Sequence, residues 1–355
     1  MAACGGTPPA ARRAAPLVNI LILGGTRFVG RHIAEAVLSH GHRVTLFNRG
    51  QSDPHPDLDA ERLRGNRDGD LGALHGRRWD AVIDVSGYVP RIVRASVELL
   101  APSVGHYTFI STVSVYAPAA PGVHVDEQTP TRTIADETRE DFRDPAAYGA
   151  LKALCERAVE RAVPGRTFIA RLSLVVGPRD PTDRFTYWPR RVARGGALLA
   201  FDGPDRAVIP FIDARDVARW VVAGVESGRT GTFNVGGKAG VTIGVVLETC
   251  RRVSRARDAS FVWASEAFLL EQSVTPWTEL PLWVPHERDD LVALDSTRAM
   301  AQGLRLTPLA DTIADTLAWD ADRPRDMPPA AGLAADREAE LLRLWDTKGG
   351  GFARK

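Results

Sequence analysis

LVNILILGGTRFVGRHIAEAVLSH, residues 17–40, is the stretch whose reading decides the fold. A short apolar run, LVNILIL, meets a glycine cluster, GGTRFVG, and a helical pattern follows from Arg31 to His40. Strand, glycine turn and helix in that order form a βα unit. Its helix N-terminus offers backbone amides and a positive dipole end to an anion such as a pyrophosphate. Gly24 lets the chain leave the strand in a tight turn, and Gly30 permits close packing of helix on sheet. The candidate nucleotide contacts of this turn are Gly24, Thr26, Arg27, Phe28, Val29 and Gly30. Arg27 stands where glycine would usually admit a phosphate, so its side chain must turn away while its amide still donates.

Outward from this unit, apolar runs alternate with helical patterns. RVTLFNR (43–49), DAVIDVS (80–86), HYTFIST (106–112) and TFIARLSLV (167–175) read as strands, with helices at about 90–101 and 146–162. VIPFIDARDVARWVVAGVE (208–226) reads as a strand followed by a helix, and GTFNVGG (231–237) as a short strand. This alternation predicts an α/β fold, a doubly wound parallel sheet with a smaller, mainly C-terminal substrate lobe. Residues 17–176 and 208–237 form the expected dinucleotide-binding domain, and 177–207 with 238–330 the substrate lobe. Residues 1–16 are expected to be a flexible tail, and 331–355 a peripheral helix and tail.

The composition narrows the function. Of 355 residues, 45 are basic and 44 acidic, a net charge of +1 that argues against a dedicated nucleic-acid binder. No apolar run is long enough to span a bilayer, so no membrane partner is expected. Cysteines at 4, 155 and 250 make neither a disulfide framework nor a clustered metal site. The chain therefore reads as reduced and cytoplasmic, with no metal. Only four of the basic residues are lysines (152, 238, 348, 355), so the arginine excess is compositional and Lys152 stands out.

At the end of the second strand, Asn48 and Arg49 occupy the place where an NAD enzyme would carry an acid for the ribose hydroxyls. Asn48 does not repel a 2′-phosphate and arginines attract one, which favours NADP over NAD. Asp68 is a candidate for the adenine amino group, and Ser86 and Gly87 close the next strand where the cofactor should cross. Tyr148 and Lys152 are four apart at a helix start and so share a face. An ammonium beside a phenol, helped by the cofactor's charge, lowers the phenol's pKa and prepares it to exchange a proton with an alcohol or ketone. Lys152 is also placed to hold the nicotinamide ribose. Thr112 ends the strand HYTFIST at the carboxyl edge of the sheet, with Ser111, Ser114 and Tyr116 as neighbouring alternatives.

LGGTRFVG (23–30), STVSVY (111–116), YGALK (148–152), LVVGPRD (174–180) and FIDARDVA (211–218) together make the chain similar to the extended short-chain dehydrogenases/reductases of the NAD-dependent epimerase/dehydratase superfamily. The match spans most of residues 17–320. The resemblance implies that Thr112, Tyr148 and Lys152 are the catalytic trio. Arg27 for the middle glycine, and Leu23 before the turn, point to an atypical branch with GGTRFVG turns that includes chloroplast stem-loop RNA-binding proteins. Val113 and Ser114 replace the Asp-Glu pair of sugar 4,6-dehydratases, so water elimination is not expected.

Substrate contacts are expected from Ser114 and from Arg179, Asp183, Arg184, Tyr187 and Trp188 in the loop after the LVV strand. Arginines suit an anionic substrate and aromatic rings stack on a sugar. The leading expectation is an NADP-dependent reductase or dehydrogenase acting on a secondary alcohol or ketone of a sugar-like or secondary metabolite. The first alternative is an NAD(P)-dependent nucleotide-sugar epimerase, and the second an RNA-binding protein on a retained fold. A homodimer is the expected assembly, by analogy with relatives that pair through the YxxxK helix.

Overall fold

The computed structural model describes residues 17–51, 57–119, 123–287, 293–324 and 326–349. The N-terminal tail foreseen at 1–16 lies outside these residues, as do 350–355. Strands β1 (Asn19–Leu23), β2 (Arg43–Asn48), β3 (Glu61–Arg64), β4 (Trp79–Asp84), β5 (Val104–Thr112) and β6 (Thr167–Leu172) belong to one parallel sheet. The short strands β7 (Leu174–Val176), β8 (Ala197–Phe201) and β9 (Phe211–Asp213) follow, and β10 (Gly231–Val235) returns to the main sheet beside β6. The seven strands stand in the order β10-β6-β5-β4-β1-β2-β3. The order reverses at β1, which lies between β2 and β4, and there the carboxyl ends of the strands open a crevice.

β1 shows why the sheet is covered on both faces. Ile20 and Ile22 join one apolar layer, Leu21 and Leu23 the opposite one, as the two-residue period of a strand requires. The first layer is closed by α1 (Phe28–Ser39) and α5 (Ala214–Glu226), the second by α2 (Pro90–Leu100) and α3 (Pro145–Ala162).

A second apolar core gathers α4 (Tyr187–Ala193), α6 (Ile243–Ser254), α7 (Glu266–Glu271), α9 (Leu309–Ala321) and α10 (Ala335–Thr347) around β8 and its parallel partner β11 (Ser260–Ala264). α8 (Thr297–Ala301) packs instead beside β10. The molecule is thus a Rossmann-like parallel sheet with a separate, largely helical C-terminal lobe. Among the described residues no helix is long and apolar enough to cross a membrane.

Three details differ from the expectation. TFIARLSLV is two strands: Leu172 pairs with Val235 in the main sheet, whereas Leu174 pairs with Phe211 of β9. No proline or glycine marks the break at Ser173, so an unbroken apolar pattern hides it. The stretch between 180 and 208, whose sequence reads as mostly irregular, contains α4 and β8. The helix foreseen as peripheral, α10, belongs to the second core: Leu341 is fully buried, and Glu338 pairs with Arg191 at 2.6 Å and accepts from the Leu199 amide.

Candidate active site

Asp144 caps α3, its carboxylate accepting from the Ala146 amide at 2.9 Å, and Pro145 occupies the first turn, where a missing N–H costs nothing. This start sets Tyr148 and Lys152 one helical turn apart on the face toward β5. The Lys152 ammonium is buried and donates to Gly87 O at 2.7 Å and Ile110 O at 2.8 Å. It also lies over the Phe109 ring, 4.2 Å from the centroid. Burial away from water pulls its pKa down from 10.5 to about 8. The Tyr148 phenol is pushed up to about 12, first by burial and then by the neighbouring Tyr88 phenol, against a hydrogen bond with Thr112 that lowers it.

Thr112 ends β5 and caps the short turn that follows, accepting from the Ser114 amide and donating to the Ser114 hydroxyl, each at 3.2 Å. Gly149, next to Tyr148, is what lets α3 come this close: a Cβ there would sit 2.0 Å from Ser114 O. Thr112, Ser114, Tyr148 and Lys152 therefore form one cluster at the carboxyl edge of the sheet. Such a set can exchange a proton with a substrate oxygen.

The crevice beside this cluster fits a dinucleotide. Gly24 has φ +104°, and a Cβ on it would meet Val85 Cγ2 at 2.8 Å. A Cβ on Gly30 would meet Gly25 Cα at 2.9 Å, so helix and turn touch backbone to backbone. Among the described residues no side chain caps the start of α1, which leaves its amides for a ligand. Arg27 is extended (φ −129°) and exposed, so the site needs no glycine there; the positive φ falls on Phe28 instead. Thr26 is buried and Val29 half-buried beside them. The Ser86 hydroxyl donates to Leu23 O at 3.0 Å and ties the β4 end to the β1 end.

Asn48 is committed to its own turn: its side-chain oxygen accepts from the Gly50 amide at 2.8 Å and from Arg64 at 2.6 Å. Its amide nitrogen is buried and has no partner among the described residues. Arg49 is exposed, and Asp68 is exposed and bound to Arg91.

Several of the candidate substrate residues serve the lobe instead. Asp183 is fully buried among Arg190, Arg323 and the Ala330 amide. Trp188 is fully buried, its indole N–H donating to Pro281 O, and Tyr187 packs edge-on against it. Arg179 reaches Glu35 of α1 at 2.7 Å. Arg184 is exposed over the Trp277 ring. Of the six, Ser114 is the one in contact with the Thr112 cluster.

Sequence reasoning missed the buried charges that brace the cluster from behind. Glu156, one turn beyond Lys152, accepts from Ser111 and pairs with Arg171 at 2.7 Å, and Arg171 lies over the Tyr116 ring. Under the β4 end, Asp84 pairs with half-buried Arg67 and accepts from Tyr107. The signal was available, because Arg171 interrupts the apolar run of β6 and Asp84 directly follows the apolar Ala81–Ile83 of β4.

The fold, the reversal at β1 and the glycine turn together define a dinucleotide-binding α/β protein. The chain belongs to the NAD dependent epimerase/dehydratase family, whose model matches residues 20–236. It is 32% identical over 251 residues to the chloroplast stem-loop binding protein of 41 kDa b from Arabidopsis thaliana; the match covers 66% of this chain and 62% of that protein's length. In fold it is similar to the Bordetella bronchiseptica enzyme WbmH with NAD+ (TM-score 0.62, 17% identity, 86% of this chain and 99% of that one). It is likewise similar to UDP-glucuronic acid 4-epimerase from Bacillus cereus with NAD (TM-score 0.62, 17% identity, 88% and 99%).

These solved structures overturn two expectations. The cofactor they carry is NAD, so the preference for NADP drawn from Asn48 and Arg49 is corrected. In a chain whose basic residues are nearly all arginine, an arginine at this turn carries little information. The leading expectation of an NADP-dependent reductase or dehydrogenase is corrected with it.

Proposed function

We propose that this protein is an NAD-dependent, epimerase-type oxidoreductase of the extended short-chain kind, acting at a secondary hydroxyl of a nucleotide sugar in the cytoplasm. The observation that carries this reading is the meeting of Thr112, Tyr148 and buried Lys152 beside a glycine-lined crevice that a dinucleotide fits. The amides at the start of α1 and the turn residues 24–30 would hold the pyrophosphate, and Ser86 and Gly87 would flank the nicotinamide end. When bound, NAD supplies the two-electron oxidation of the alcohol and the reduction that follows.

The chain's own groups handle the proton. Tyr148 takes it from the substrate hydroxyl and returns it to the same oxygen. Thr112, whose hydroxyl hydrogen rests on Ser114, would turn it to that oxygen. Lys152, fixed by two carbonyls, keeps one N–H to spare for the nicotinamide ribose. A phenol that burial holds at about 12 must be brought down for this work; the hydrogen bond with Thr112 acts in that direction, and the positive charge of the bound cofactor would add to it.

The reading is tested on protein purified with its retained nucleotide, identified by native mass spectrometry and incubated with UDP-sugars. The expected result is bound NAD and interconversion of two sugar epimers without net nucleotide turnover. Tyr148→Phe is expected to lower that rate by at least about 10²-fold. Unchanged turnover in the variant would sink the proton-transfer assignment, and stoichiometric nucleotide consumption would sink the epimerase.

A further inference from the structure

Three segments converge above Lys152. Arg91, in the first turn of α2, donates to both carboxylate oxygens of Glu140 (2.6 and 3.1 Å) and to Asp68 at 2.8 Å. One guanidinium thus ties the segment before α3 to the loop after β3. Two residues beyond Glu140, Phe142 packs with Ile134 against Ala147, Leu151 and Leu154 of α3. Its other face meets Tyr88, with centroids 5.0 Å apart and rings 22° from parallel. Tyr88 follows Gly87, whose carbonyl holds Lys152, and its ring centroid is 5.4 Å from the Lys152 ammonium. Tyr88 is 38% exposed, so a large aromatic ring is held open to solvent at the mouth of the catalytic cluster.

That placement matters because the opposite end of the crevice is poorly equipped to grip. Asn48 offers no charged acceptor, and its oxygen is already taken by Gly50 and Arg64. An enzyme that oxidises and then re-reduces one substrate must keep its nucleotide through both half-reactions. We propose that Tyr88, backed by Phe142 and strapped by Arg91 to Glu140 and Asp68, is the positioning residue that retains NAD at its nicotinamide end. The inference rests on the NAD-dependent reading above.

The test is the rate at which NADH leaves the full-length protein, read in a stopped-flow fluorimeter after mixing with excess NAD. Tyr88→Ala, Tyr88→Leu and Phe142→Ala are each expected to speed release by roughly three- to tenfold, the scale of one aromatic stack. Tyr88→Phe, which keeps the stack, should stay within about twofold of wild type, and the double alanine variant should be little faster than the quicker single one. Glu137→Gln, which breaks the Glu137–Arg157 pair on the same segment, is the control for general loosening. Release unchanged in Tyr88→Ala and Tyr88→Leu would overturn the proposal, as would equal acceleration by Glu137→Gln. If wild type binds no NADH, the NAD-dependent reading itself fails and this inference with it. Circular dichroism confirms that each variant is folded, and Tyr88→Leu stands in if an alanine variant is not.

Discussion

Replacing Gly149 by alanine sets local and tertiary physics against each other. Gly149 is in the second turn of α3, where helix propensity alone favours alanine by about 1 kcal/mol. The new Cβ, however, would sit 2.0 Å from Ser114 O and 2.9 Å from Ser114 C, both backbone atoms. Ordinary contact requires more than about 1 Å of separation beyond this. The helix resists moving, because Lys152 is bound to Gly87 O and Ile110 O and Glu156 to Ser111 and Arg171. Ser114 resists too, since its carbonyl accepts from Arg132 and the adjoining Val115 carbonyl accepts from the Arg132 amide at 2.6 Å. Overpacking against backbone should therefore outweigh propensity, for a net loss of about 1–3 kcal/mol. The same displacement would draw Tyr148 away from Thr112, and a misplacement near 1 Å at reacting groups costs on the order of 10²-fold in turnover. Urea unfolding and epimer interconversion measure the two effects. A variant more stable by about 1 kcal/mol with intact turnover would refute the close packing of α3 on Ser114.

The pKa of Lys152, lowered by burial from 10.5 to about 8, links stability to pH. Between those values the unfolded chain holds a proton that the native protein has lost, so wild type should gain roughly 3 kcal/mol relative to Lys152→Met as pH rises through that window; a flat difference would show that the ammonium is not desolvated. Glu156→Gln leaves Arg171 buried without its counter-charge and should cost about 3–5 kcal/mol in denaturant unfolding, while a loss under about 1 would mean the pair is solvated. Asp183→Asn should lower stability by about 2 kcal/mol and leave KM unchanged, because Arg190, Arg323 and Ala330 N already use the carboxylate. A tenfold rise in KM at constant stability would return Asp183 to the ligand.

Residues 17–40 were legible because each feature has a local cause: apolar residues on both faces of β1, glycines at the turn, and a helix start without a side-chain cap. Tyr148 and Lys152 were legible for the same reason, as helical spacing alone puts them on one face. The failures share a different character. The break at Ser173, the burial of Tyr187, Trp188 and Asp183, and the docking of α10 are decided by partners far along the chain, such as Phe211, Pro281, Arg323 and Arg191. Asn48 failed in this way too. A carboxamide at the end of β2 was read for the ligand it would admit, whereas Arg64, sixteen residues on, had already claimed its oxygen. A polar side chain in a crevice indicates what binds there only after its bonds within the protein are accounted for. By that measure Lys152, which keeps an N–H, and the hydroxyls of Ser114 and Tyr148 beside Thr112 have capacity to spare, and it is there, rather than at Arg49 or Asp183, that the chemistry is to be sought.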